Sequence, residues 1–171
     1  MNSKEMTQRK TSAKSPQDSI VIMTELVLPS DANTLGTAFG GKIMSWIDIA
    51  AATAAGRHAR QVVVTASFDA VHFLAPVKVG YVLHIRAMVN FVSRTSMEIG
   101  VRVDSENLLT GRTAHTASAY TTFVAINSKG KPIPVPPLKA VTPDEQRRYR
   151  EAQHRREARI HLAAKIKAGR K

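Results

Sequence analysis

The spacing of apolar and polar side chains divides the chain into a short strand, one apolar helix, a β-rich half and a charged end. Ser19 to Leu28 (SIVIMTELVL) reads as a strand that Pro29 ends, and SDANTLGTAFGGK, dense in turn formers, reads as a loop. Ile43 to Ala55 (IMSWIDIAAATAA) is apolar and rich in alanine, the strongest helix former, with Gly56 as the expected stop. Residues 40–56 are therefore predicted to form a largely buried helix. Val62 to Phe68 is β-branched and reads as a strand, and HFLAPVKVG, with Pro76 and Gly80, reads as a connection. Tyr81–Ser93, Met97–Ser105 and Thr113–Asn127 alternate over much of their length and predict three long strands. Turns at Arg94-Thr95 and at Leu109–Gly111 would join neighbours as antiparallel hairpins.

Four prolines in KGKPIPVPPLKAV rule out a central strand or a helix interior there, so the segment reads as an extended exit from the domain. TPDE follows, with Thr142 at the N-cap, Pro143 at the first helical position and Glu145 where a capping box needs it. The helix expected over 143–168 is charged. Its few large apolar residues, Tyr149, Ile160, Leu162 and Ile166, predict a solvated helix unless a partner covers it. The class implied is α+β: five to six antiparallel strands wrapped around one long central helix, with a C-terminal helical tail. Such a sheet leaves a face and an edge strand bare, and dimerisation is the simple cover. No internal repeat is present.

A length of 171 residues suits one domain. The expected division is a disordered basic leader (1–16), one folded domain (17–141) and a basic helical tail (142–171). The net charge of +12 falls as +3, +3 and +6 on these three parts, so nine of the twelve charges sit outside the central domain. That domain is only mildly basic, as suits a phosphorylated ligand. Nucleic acid is not expected as a partner, although the basic tail leaves it open. The absence of cysteine excludes a disulfide framework, a cysteine nucleophile and a thiolate metal site. The first sixteen residues lack the apolar core of a secretory signal and no stretch has the length of a membrane span, so a cytoplasmic location is expected.

The segment from Asp31 to Ala52 carries the candidate chemistry. Gly40 and Gly41 fall at the expected helix start, where backbone N–H groups and the helix dipole attract negative charge. They either form an oxyanion hole or only a tight turn. Asp48 is the one charged residue between Ile43 and Ala55, so it either meets a structural partner or serves as a general base or nucleophile. It lies seven residues beyond Gly41, about 10 Å along the same helix face, too far to attack a carbonyl held at its own helix start. If both groups are catalytic, the site is composite, built across an antiparallel pair of helices at a dimer interface. Asn33 orients a water or the substrate, or else serves its own turn. Arg94, Thr95 and Ser96 suit a phosphate or form an ordinary polar turn. The six histidines share no metal-ligand spacing, and no Gly-x-Ser-x-Gly elbow exists. No metal and no cofactor is expected.

These residues together resemble the hot-dog acyl-CoA thioesterases of the bacterial YciA and brain acyl-CoA hydrolase type. The likeness runs over roughly residues 19–145, through DANTLGTAFGGKIMSWIDIAA, VVTASFDAVHFLAPVKVG, RTSMEIGVRV, FVAIN and KGKPIPVPPL. It implies a hot-dog fold, dimers that commonly assemble into hexamers, and hydrolysis of fatty acyl-CoA to free acid and coenzyme A, the latter bound only as part of substrate or product. By resemblance Asn33 and Asp48 are the catalytic pair, acting across the dimer interface. Val64, Thr65, Ala66 and Ser67, with Arg94, Thr95 and Ser96, lie where such enzymes contact coenzyme A. The basic residues 146–171 depart from the family pattern. Two rival readings stand beside this one: an acyl-CoA-sensing regulator, and a hot-dog dehydratase.

Overall fold

The computed structural model describes residues 12–69 and 71–169. Alternation along the long strands sets the frame. The elements are β1 (Val21–Leu26), α1 (Gly40–Ala59), β2 (Val62–Phe68), β3 (His72–Phe73), β4 (Val82–Val92), β5 (Ser96–Asn107), β6 (Arg112–Ile126) and α2 (Pro143–Ala168), with short 3-10 turns at Pro16–Ser19 and Pro29–Asp31. One antiparallel sheet runs in the order β1-β4-β5-β6-β2, and β3 also pairs with β6. The first strand is shorter than expected because prolines hold 3-10 turns just beyond each of its ends. The expected plain connection also contains β3.

Inward-facing Ile85, Ala87, Val89, Ile99, Val101, Val103, Ala117, Ala119 and Phe123 meet α1, which buries Ile43, Trp46, Ile47, Ala50, Ala51, Ala54 and Ala55 against them. The helical spacing of these positions gives α1 one apolar face, and its alanines let the backbone lie close to the sheet. Gly56 does not stop the helix. The chain continues to Ala59, and Arg60 ends it in the left-handed region (φ 52°), donating its N–H to the Gly56 carbonyl at 2.8 Å. Glycine inside a helix costs only about 1 kcal/mol relative to alanine, too little to break a helix with this much buried face.

The boundary drawn at residue 16 also moves. Residues 1–11 of the expected leader lie outside the described residues, but Lys14 to Pro16 belong to the domain. The Lys14 backbone bridges Leu138 in the proline-rich exit, its Nζ donates to the His58 carbonyl at 2.6 Å, and Ser15 forms a capping box with Asp18. The ammonium thereby sits at the C-terminus of α1, where the helix dipole favours positive charge.

His58 beside it is fully buried, with Nε2 2.8 Å from the Pro136 carbonyl and Nδ1 without a partner among the described residues. Burial, reinforced by Lys14, holds this imidazole below its ordinary value of 6.5 despite the bond to Pro136. The native state thus resists a proton that the unfolded chain accepts. Stability is expected to fall as pH drops through about 6.5. Thermal melts from pH 8 to pH 5 check this: Tm should decline below that point in the parent and decline less in His58→Gln, whereas equal pH profiles would contradict it.

The capping box of α2 is present as the sequence predicts, with Glu145 N–H donating to Thr142 Oγ1 at 3.2 Å and Glu145 Oε2 accepting from the Thr142 N–H at 3.0 Å. The expectation of a solvated helix is corrected over its first two-thirds. Glu145 and Ala152 are buried, Tyr149 packs on Phe91 of β4 with ring centroids 5.0 Å apart, and Arg155 lies 3.6 Å over the Tyr120 ring. Arg155 and Arg159 together hold Glu98 of β5. Residues 160–169 are exposed.

Candidate active site

The loop between β1 and α1 is fastened by Asp31. Its carboxylate accepts the Leu28 N–H at 3.0 Å and pairs with Lys42 at 3.2 Å, and its carbonyl accepts the Phe39 N–H at 2.8 Å. Within this clamp Asn33 Oδ1 accepts three bonds, from the Leu35 N–H (2.9 Å), the Thr37 N–H (3.2 Å) and Thr37 Oγ1 (3.1 Å). Asn33 therefore does serve its own turn. The same bonds orient the amide and leave Nδ2 as its donating side.

α1 begins at Gly40 with Phe39 as N-cap, whose side chain makes no capping bond. Lys42 and Ile43 both donate back to the Phe39 carbonyl, so the Gly40 and Gly41 N–H groups are the donors at this uncapped end. Bulk here is controlled by two aromatic rings. A Cβ on Gly41 would meet the Phe39 ring at 2.6 Å, and one on Gly40 would lie 3.5 Å from Phe73. An apolar cleft of about 340 Å³, lined by Gly40, Ile43, Phe73, Leu74, Pro76 and Val77 among others, opens beside the same terminus.

Asp48 sits two turns along α1. It is half-buried rather than enclosed, and Oδ1 accepts a hydrogen bond from Thr65 Oγ1 at 2.8 Å. Thr65 was expected to touch coenzyme A. Its bond to Asp48 is a role that sequence reasoning did not assign, and the signal was faint: a threonine in an apolar strand beside an aspartate-bearing helix. Val64 and Ala66 lie on the exposed part of β2, with Ser67 at a register shift against β6. Ser96 pairs with Val124, which pairs with Val64, so the Arg94–Ser96 turn and β2 share one row of the sheet, two strand spacings or about 10 Å apart. The Arg94 and Thr95 carbonyls accept from Val135 and Ala125. Asp48 and the Gly40–Gly41 donors are not brought together within one chain.

Residues 35–111 match the family described as the Thioesterase superfamily. An uncharacterized acyl-CoA thioester hydrolase of Bacillus subtilis (strain 168) is 43% identical over 129 residues, 75% of each chain. The chain belongs to the thioesterase superfamily. Its sheet curled around α1 is the hot-dog fold expected of that superfamily. A hexameric acyl-CoA thioesterase, solved without ligand, is 45% identical and superposes with a TM-score of 0.86 over 90% of this chain and 98% of its own. The acyl-CoA hydrolase of Staphylococcus aureus, solved with butyryl coenzyme A, coenzyme A and coenzyme A disulfide, is 34% identical, with a TM-score of 0.81 over 93% of this chain and 99% of its own. That hydrolase has also been solved with an aspartate, an asparagine and a threonine each replaced by alanine. Among the described residues, no helix is long and apolar enough to cross a membrane.

Proposed function

We propose that this protein hydrolyses acyl-CoA thioesters at a site shared by two protomers. The observation that carries the reading is the placement of Asp48: half-buried, fixed by Thr65, and standing at a sheet edge that none of the described residues covers. Val62, Val64, Thr65 and Ala66 of β2 are exposed, as is Ile49 of α1. A bare apolar edge strand is an aggregation hazard, and two-fold pairing of β2 with its copy covers it. The pairing sets α1 antiparallel to the partner's α1, so that each Asp48 faces the other chain's glycine N-terminus. Three such dimers would make a hexamer, the state of one relative.

The spacing of the candidates supports their roles. Asn33, Asp48 and Thr65 lie at intervals of 15 and 17 residues, the intervals that separate the asparagine, aspartate and threonine replaced in the Staphylococcus aureus hydrolase. In the proposed reaction the Gly40 and Gly41 N–H groups and Asn33 Nδ2 bind the thioester oxygen as it becomes an oxyanion. Asp48 takes a proton from water, the water oxygen bonds to the carbonyl carbon, and the C–S bond breaks to release coenzyme A as a thiolate. Attack by the carboxylate itself, through an anhydride, remains the alternative route. The cleft beside Gly40 takes the apolar acyl group. Arg94 to Ser96 and Thr65 to Ser67 lie along the path of coenzyme A. No metal or cofactor takes part, and the reaction is placed in the cytoplasm.

Free-thiol release from a panel of acyl-CoAs, acetyl to palmitoyl, tests the activity. Rapid release from at least one member is expected, and the panel reads out the chain length. Tight binding without release from any member would assign a ligand-sensing module instead.

A further inference from the structure

The tail helix crosses its own sheet in a fixed direction and then overruns it. Phe91, Glu98, Thr122 and Ser67 are direct neighbours in one row across β4, β5, β6 and β2. α2 follows that row: Tyr149 rests on Phe91, Arg155 on Glu98 and Tyr120, and Arg159 on Asp69 at 2.5 Å, just past the end of β2. Ten residues of helix from Tyr149 to Arg159 rise about 15 Å. Three strand steps, β4 to β2, span about 14 Å. The helix thus runs nearly perpendicular to the strands and reaches the free edge at Arg159.

Beyond that edge the docked face of the helix continues. Ala152, Arg155, Arg159, Leu162 and Ile166 follow steps of three, four, three and four residues and so share one face. The first three touch the sheet, while Leu162 and Ile166 stand 59% and 49% exposed with no sheet beneath them. Residues 160–168 extend about 13 Å further, more than two strand spacings. Lys165 and Lys167 leave this face to either side.

A matching apolar patch lies on the outer surface of the sheet at the opposite end of β2. Val63 and Thr65 point inward, toward the core and Asp48, so Val62 and Val64 point outward, 66% and 42% exposed, beside Val124 and Ile126 of β6. In an antiparallel β2 seam centred between Val64 and Thr65, the row holding Ser67 continues onto the partner's Val62.

We propose that residues 160–168 cross the dimer seam and cover the partner's Val62 and Val64 with Leu162 and Ile166, so that two α2 helices strap the dimer together on its outer face. The strap rests on the β2 pairing proposed above. Each helix docks at one end of the seam and its copy at the other, an isologous arrangement that closes at two chains.

The chain has no cysteine, which makes the test clean. Val62→Cys/Ile166→Cys is treated with a short bismaleimide, beside each single variant, after native mass spectrometry has established the assembly. A covalent dimer well above both single variants, with nothing larger, is expected. Cross-linking no greater than that of the single variants, in a protein that is dimeric or hexameric by native mass, overturns the strap and leaves the seam intact. A covalent ladder beyond dimer places the tail on a third chain and also overturns it. A monomeric native mass removes the seam and the strap with it. As a second readout, Leu162→Glu/Ile166→Glu should weaken dimer association on the order of a hundredfold, the loss of several buried aliphatic side chains. Ala164→Glu/Ala168→Glu adds the same charge on the opposite face and should leave association unchanged. Equal weakening by both pairs would reduce the effect to charge and overturn the proposal.

Discussion

Asp48→Asn is expected to lose thioester hydrolysis by about 10²- to 10⁴-fold, the range for removing a general base, while folding and assembling normally. Asparagine keeps the size of the side chain and still accepts the Thr65 hydroxyl proton at its oxygen. Thr65→Val should cost less, since it frees the carboxylate to rotate without removing it. The composite arrangement adds a sharper expectation. An Asp48→Asn chain supplies a sound Asn33 but no base, and an Asn33→Ala chain the reverse. In a dimer of one of each, one of the two sites combines both defects and the other combines both intact groups. Co-refolding equal amounts of the two variants should make half the dimers mixed, and activity should recover to about a quarter of the parent's from two nearly silent proteins. If each site lay within one chain, mixing would restore nothing. Thiol release before and after mixing decides between them.

That expectation was legible in part from spacing alone. Seven helical steps from Gly41 to Asp48 separate the two groups by about 10 Å, and α1 is one unbroken helix over both positions. The sequence could not show what Asp48 touches. A carboxylate among apolar residues implied burial, but one flank of α1 faces the bare β2 edge, and Asp48 lies on that flank with Thr65. Which flank is covered depends on strand order, a non-local property that periodicity does not encode. Asn33 illustrates the opposite case. Its turn is local, so the Asn-x-x-Gly spacing that suggested an orienting group also predicts the bonds that Oδ1 makes.

The strands of the β-rich half were plain because each alternates against a buried face, and their hairpin turns fall where residues 94–95 and 109–111 suggested. The errors lie where local chemistry met a long-range partner. Gly56 reads as a stop until α1 has a sheet to pack on. Lys14 reads as leader until the exit segment returns beside it. The tail's positive charge reads as available to a polyanion until its partners are placed. Arg147 and Arg148 pair with Asp144, Arg147 also with Glu151, and Arg155 and Arg159 with Glu98 and Asp69. Among the described residues, four of the tail's eight basic side chains are thereby engaged within the chain.

Glu98 carries the largest expected effect on stability. Strand alternation puts it on the outer face, between inward-facing Met97 and Ile99, where a glutamate would be solvated. α2 covers it instead, leaving its side chain 1% exposed. Arg155 answers with Nε at 3.1 Å and Nη2 at 2.7 Å from Oε1, and Arg159 with Nη1 at 3.3 Å from Oε2. A carboxylate taken out of water costs several kcal/mol, which the two guanidinium groups offset only while both stay in place. Arg155→Met should therefore destabilise the protein by about 3–5 kcal/mol, since it strands the charge, and lower Tm by about 6–20 °C. The double variant Glu98→Met/Arg155→Met removes the charge together with its main partner and should recover most of that loss. Denaturant melts of the two single variants and the double give the coupling, expected to exceed about 2 kcal/mol for groups in direct contact. Additive losses would mean that α2 is held by Tyr149 on Phe91 and that Glu98 reaches solvent when the helix lifts. A strong coupling would make the ion cluster the lock that fixes where α2 crosses the sheet, and so where residues 160–168 are aimed.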